Sequence, residues 1–194
     1  MEFRSAVWYI GSRKTIWMEV FEMTIKTDRL VLRPLCLSDL KTTHEYASDS
    51  ENTTYMLFLP NEVEQETADF LCAAEREWQK ARPSYYEFAI VLDGAHIGAV
   101  SLSLLETSSQ GEIGWILNKK YWNRGYASEA AGAVLDFART QLRLQSVIAQ
   151  CDWRNVASAR VMEKIGMGLV DGNGSRSYVK REETARELTY MIEF

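Results

Sequence analysis

From Thr27 the chain settles into regular alternation. In TDRLVLRPL (27–35) apolar and polar positions alternate until Pro34 interrupts them, which reads as a strand. YYEFAIVL (85–92) and AHIGAVSLSLLE (95–106) flank Asp93-Gly94, a pair suited to a two-residue turn, and read as a hairpin. EIGWILN (112–118) and QSVIAQCDW (145–153) are a fourth and a fifth strand, and two more lie near 168–180 and 186–193.

Between these runs the period lengthens to that of helices. Ser38 opens a short one over SDLKTTHEYAS as its cap, and Asn61 with Glu64 resembles a capping box before a longer one that places Phe70, Leu71, Ala74 and Trp78 on one face. A third begins within YWNRGYASEAAGAVLDFA (121–138), and Asn155 caps a fourth that ends at Gly166. DGNGSRS (171–177) has the composition of a mobile turn between the last two strands. The order predicts an α+β fold, a mixed, mostly antiparallel seven-stranded sheet with about four helices on its two faces.

The chain is 194 residues long with 46% apolar content, enough for one packed domain, which we place at 23–194. Residues 1–22 mix charge and aromatics without a clean period and lack the apolar core of a signal peptide. With Met23 directly before the first regular strand, they read as a loosely packed extension or a consequence of start-site choice. Net charge is −5 and the 22 Lys and Arg are scattered, which argues against a nucleic-acid partner, and no apolar run approaches the roughly 18 residues of a membrane span. Cys36, Cys72 and Cys151 are odd in number and far apart, and His44 and His96 supply no ligand set, so a reducing, cytoplasmic setting without a metal site is expected. Cys151 has no partner arrangement to activate it and reads as a core thiol, as Trp78, Tyr85 and Tyr86 read as core aromatics before they read as pocket lining. Nothing in the pattern fixes an oligomeric state.

Gly125 stands at the mouth of a helix whose next residues are Tyr126, Ala127 and Ser128. A helix start exposes unpaired N–H groups and the positive end of the helix dipole, and a glycine there lets an anion reach the main chain without a Cβ in the way. Phosphate is the anion most often held so. Alone, the same residues fit simple close packing of an alanine-rich helix on a sheet.

Taken with VIAQCDWRNVASARVMEKIGM, the stretch EIGWILNKKYWNRGYASEAAGAVLDFA resembles the paired core motifs of the GNAT superfamily of acyl-CoA N-acyltransferases, and TDRLVLRPL resembles the opening strand of its Rim-type branch, the ribosomal-protein N-terminal acetyltransferases and their relatives. The resemblance spans about residues 25 to 194. It implies that the fourth and fifth strands splay apart and that acetyl-CoA lies in the resulting V. N–H groups from Asn123, Arg124, Gly125, Tyr126, Ala127 and Ser128 would hold its pyrophosphate, and the main chain near Ile116 and Leu117 its pantetheine arm. Trp122 stands where the family's loop has Gln or Arg.

Attack of an amine on a thioester needs a neutral amine, a polarised carbonyl and a proton for the departing thiolate. The Tyr that many relatives place seven residues after the capping Asn is Met162 here, so the resemblance leaves Ser158 as the acid, against the alternative that it only bonds its own helix; Asn155 is likewise cap, cofactor contact or both. The fifth-strand Glu of some relatives is Gln150, which leaves Glu112 as the base, against a solvated strand-end charge. An α-amine with pKa about 8 deprotonates at pH 7 for about 1.4 kcal/mol, a lysine at about 10.4 for about 4.6. A weak base therefore favours a protein or peptide N-terminus as acceptor. A small amine such as a polyamine, amino sugar or antibiotic, and a non-catalytic acyl-CoA-binding module, are the alternatives.

Overall fold

The computed structural model describes residues 6–9, 15–18, 23–105 and 109–194. β1 (Ala6–Tyr9) and β2 (Thr15–Met18) pair with each other in a two-stranded sheet of their own; the rest of the extension expected over 1–22 lies outside the described residues. Then follow β3 (Ile25–Lys26), β4 (Leu30–Pro34), α1 (Leu40–Ala47), α2 (Glu64–Trp78), β5 (Tyr85–Leu92), β6 (Ala95–Leu104), β7 (Gln110–Leu117), α3 (Tyr126–Thr140), β8 (Ser146–Asp152), α4 (Val156–Lys164), β9 (Gly168–Tyr178) and β10 (Glu183–Glu193).

β3 to β10 form one eight-stranded sheet in the order β3-β4-β5-β6-β7-β8-β10-β9. The seven expected strands are present, and the eighth is the two-residue β3, which adds a short antiparallel edge to β4. All pairings are antiparallel except β7 with β8, which run parallel across the connection that contains α3. The larger core lies under α3, where Ala130, Ala131, Val134, Phe137 and Ala138 pack with Val100, Leu102, Ile113, Val147 and Ala149. On the opposite face Leu71 of α2 packs with Leu35, Ala89 and Ala99. Among the described residues no helix is long and apolar enough to cross a membrane.

Three local expectations are corrected. Ser38 does not cap α1: it sits inside a 3₁₀ turn (Leu37–Asp39), and the buried Asp39 carboxylate organises the entry, accepting from Cys36 N–H at 3.1 Å and from Arg33 at 2.6 and 2.7 Å. Asn61 does not close a capping box; its amide donates to Thr67 at 2.8 Å, and Glu66 accepts the Glu62 N–H at 2.7 Å. Phe70 falls off the buried stripe, which is Thr67, Leu71, Ala74 and Trp78, spaced four, three and four apart as one helix face requires.

The largest correction is at 171–177, which lies inside β9; the turn follows it, with Glu182 in the left-handed region at φ 49°. β9 is an edge strand whose first residues are mostly exposed, so main-chain bonds to β10 hold it where side-chain burial does not. A polar, glycine-rich stretch can then be a strand.

Candidate functional site

β7 leads into α3 through a short segment that turns twice through positive φ, at Asn123 (59°) and Gly125 (81°). Gly125 is the residue before α3, and no side chain caps the helix. The N–H groups of Tyr126, Ala127 and Ser128 have no partner among the described residues. A Cβ built on Gly125 would stand 3.5 Å from Arg29 Nη2 and 3.6 Å from Lys164 Nζ, so two cations border this bare helix start. Arg29 is fixed there: it donates to Glu129 at 2.7 Å and to the Arg124 carbonyl at 3.0 Å, and lies 4.6 Å above the Tyr126 ring. Free N–H groups, the helix dipole and two positive side chains fit the chemistry of a pyrophosphate.

Trp122 has a local task. Its indole N–H donates to the Leu117 carbonyl at 2.9 Å, and Asn52 donates to the same oxygen at 2.8 Å while accepting the Lys119 N–H at 2.6 Å. The loop is thereby tied to the end of β7.

The parallel ladder between β7 and β8 covers only Gln110, Gly111 and Glu112. From Ile113 the strands diverge, giving the expected V. Which residues line it follows from strand parity. The Asn118 N–H bonds Ile97 O and the Leu105 N–H bonds Gln110 O, so even-numbered residues of β7 turn their main chain to β6 and odd-numbered ones toward the V. Leu117 is on the V side, although its carbonyl is already taken. Ile116 is turned to β6 opposite Ala99, and Ile113 and Trp115 hold the positions facing the opening. Counting back in twos from Leu117 reaches Trp115 and then Ile113.

The other named residues fall on two sides of the sheet. On the α3 and α4 side, Asn155 caps α4 by accepting the Ser158 N–H at 3.1 Å. The Ser158 hydroxyl has no hydrogen-bond partner among the described residues, so it does not bond back to its own helix. Met162 is buried in the core, and Cys151 is a buried core thiol pushed up to about 11 by burial. Trp78 and Tyr86 are core residues with rings crossed edge to face. Gln150, which alternates with the core-facing Ala149 and Cys151 and so lies on the α1 and α2 side, is exposed and donates to Thr189 at 3.3 Å.

On the α1 and α2 side lies a polar row that the sequence reading missed. Register places Glu87, Ser101 and Gly114 side by side, with Tyr85, Ser103 and Glu112 in the next row. Glu112 is half-buried, and burial pushes its carboxyl above the ordinary range against the pull of Arg176. Glu87 is only 5% exposed, receives the Tyr85 hydroxyl as a donor, and is pushed up to about 8 by burial. A single charge inside YYEFAIVL was the available signal. Glu187 and Arg176 complete the group, and Arg176 was hidden in the stretch read as a turn.

Comparison with known proteins agrees with this geometry. Residues 29–168 match the model of the acetyltransferase (GNAT) domain. The N-acetyltransferase YnaD of Bacillus subtilis (strain 168) is 34% identical over 172 residues, covering 88% of this chain and 96% of YnaD. The acetyltransferase of Salmonella typhimurium that modifies the N-terminal serine of 50S ribosomal subunit protein L7/L12 superposes with TM-score 0.78 at 15% identity, over 89% of this chain and 99% of that one. The spermidine N-acetyltransferase of Vibrio cholerae, solved with CoA and spermine, superposes with TM-score 0.74 at 17% identity, over 86% and 96%. A match over most of the chain, joined to the splayed strands and the uncapped start of α3, establishes that the chain belongs to the GNAT family of acyl-CoA-dependent N-acetyltransferases.

Proposed function

We propose that the protein transfers an acetyl group from acetyl-CoA to the α-amine of a peptide or protein N-terminus, by direct attack within a ternary complex. The observation that carries the reading is Glu112 at the apex of the V, where β7 leaves β8, with a carboxyl that burial holds above its ordinary range. Such a group is a better match to an α-amine of pKa about 8 than to the ammonium of a lysine or polyamine near 10.4.

In this reading the N–H groups from Asn123 to Ser128 hold the pyrophosphate of the co-substrate, with Arg29 and Lys164 beside them. Ile113 and Trp115 offer main-chain partners to its pantetheine arm and a donor to the thioester carbonyl, as an oxyanion-type contact needs. Glu112 takes the amine proton, directly or through water, and Ser158 supplies a proton to the departing thiolate. Fold-level likeness to the L7/L12 acetyltransferase supports the same acceptor class.

A second reading, a small-amine acceptor, is favoured by the carboxylates of Glu112 and Glu187 on the acceptor side, which suit a cation, and by likeness to the spermidine enzyme. Incubation with acetyl-CoA and either an N-terminal peptide library or a small-amine panel, read by mass spectrometry, separates the two. Turnover confined to the small amines refutes the peptide reading.

A further inference from the structure

Arg176 is 9% exposed, yet its side chain is poorly satisfied. Nη2 reaches the Tyr55 carbonyl at 3.5 Å, and Nη1 stands 3.6 Å from Glu187 Oε1, beyond hydrogen-bond reach. Nε and Nη1 have no hydrogen-bond partner among the described residues, although Nη1 is ion-paired with Glu187; of the other buried side-chain polar atoms only Thr43 Oγ1 lacks a hydrogen bond there. A guanidinium carries five N–H donors in a flat fork, and burying them unused is costly unless a ligand completes them.

Its place in the sheet says which ligand. Arg176 pairs with Ala185 on β10, and the alternation of β10 puts it on the face that carries Glu187. Glu187 stands opposite Asp152 at the end of β8, and Glu112 stands opposite Ile148 at the apex of the V, so both lie on the α1 and α2 side, Glu187 four residues further along β8. The field of Arg176 is felt by both Glu112 and Glu187. An acceptor amine approaching the V from this side therefore meets two carboxylates and, beside them, an underused fork of donors. An α-amino acyl group has the matching pattern: an amine, with a carbonyl or carboxylate oxygen on the neighbouring carbon. Polyamines carry no oxygen and would set a second cation against the guanidinium.

We propose that Arg176 determines acceptor specificity by donating to the carbonyl or carboxylate oxygen next to the reacting amine, so that α-amino acyl compounds are accepted and oxygen-free amines refused. The proposal rests on the N-terminal acetyltransferase reading above and names the residue that enforces it.

The test uses the full chain and thiol release from acetyl-CoA with four acceptors: Ala-Ala-amide, free alanine, isopropylamine and spermidine. The wild type is expected to favour at least one of the first two over both oxygen-free amines by at least about 100-fold in kcat/KM, since a site built to bond a polar group rejects analogues that lack it. Preference between Ala-Ala-amide and alanine tells a peptide carbonyl from a free carboxylate. Arg176→Gln is expected to lose most of that preference through KM, with coenzyme A affinity unchanged by calorimetry, and Arg176→Lys, which keeps the charge without the fork, to fall between. Wild-type turnover of isopropylamine or spermidine equal to that of the α-amino acyl pair overturns the proposal. So does an unchanged preference in a variant that still binds coenzyme A; should Arg176→Gln fail to bind it, the lysine variant carries the comparison. Turnover of no acceptor sinks the proposed function and this proposal together, whereas peptide turnover indifferent to position 176 sinks only this one.

Discussion

Glu112 and Ile148 face each other across the last rung of the parallel ladder between β7 and β8. One residue later the strands part, so the Glu112 carboxyl stands where the sheet opens. Arg176 and Glu187 share its surroundings, and burial outweighs Arg176 in setting its proton affinity.

If Glu112 accepts the amine proton, it must be ionised to act. Its raised pKa then puts an acidic limb on kcat/KM: activity falls as pH drops through that value. Glu112→Gln is expected to lower kcat by roughly 10²- to 10⁴-fold and to abolish this limb while leaving the limb due to the acceptor amine. A pH profile of thiol release checks it, and an unaltered profile assigns the proton to water.

Gly125 is the cradle's weakest point for substitution. Its φ of 81° suits glycine, and a Cβ there would meet only ordinary contacts with Arg29 and Lys164 at 3.5 and 3.6 Å. The protein itself leaves room, so the loss in Gly125→Val comes from backbone strain and from filling the anion's approach. Calorimetric titration is expected to show coenzyme A binding at least tenfold weaker, about 1.4 kcal/mol. Unchanged affinity in a folded variant removes the pyrophosphate from this loop.

Ser158 and Asn155 can be separated because the cap uses the main-chain N–H of Ser158 and not its hydroxyl. Ser158→Ala is expected to reduce kcat by roughly 10- to 10⁴-fold with coenzyme A affinity within a few-fold, because the proton matters only as the bond breaks. Asn155→Ala is expected to cost about 1 kcal/mol of stability as a lost cap. Equal activity of Ser158→Ala in steady-state assays transfers the acid role to solvent.

The elements with a strong period were legible in the sequence: β4 to β8, α3 and α4 fall where alternation and caps put them. What escaped depended on partners far along the chain. Asp39 rather than Ser38 organises the start of α1 because Arg33 folds back onto it, and β9 is a strand because β10 supplies hydrogen bonds that its own composition does not announce. The site divided the same way. Gly125 and Asn155 sit in local motifs, whereas Arg176 and Glu187 meet Glu112 only through the order β7-β8-β10-β9. Ile116 shows a third limit, since which residues turn their main chain to the V depends on the β6 register, which no local motif announces.

Glu87 provides a readout of the acceptor face that needs no substrate. It lies beneath α1 and α2 with Tyr85 donating to it and Trp78 bonding its main-chain carbonyl at 3.0 Å, and burial pushes its carboxyl up to about 8. In the unfolded chain the same carboxyl titrates near 4.3. Between these values the folded protein keeps a proton that the unfolded chain has released. The contribution of Glu87 to stability is therefore complete below about pH 4 and is lost as pH rises through about 8, an effect on the order of a few kcal/mol. Urea unfolding of the wild type is expected to show stability falling from pH 6 to pH 9. Glu87→Gln keeps the shape without the charge, so its stability is expected to stay nearly flat over that range and to exceed the wild type's at pH 9. Parallel curves for the two proteins would mean that Glu87 is ionised in the fold and that the polar row beside Ser101 is hydrated.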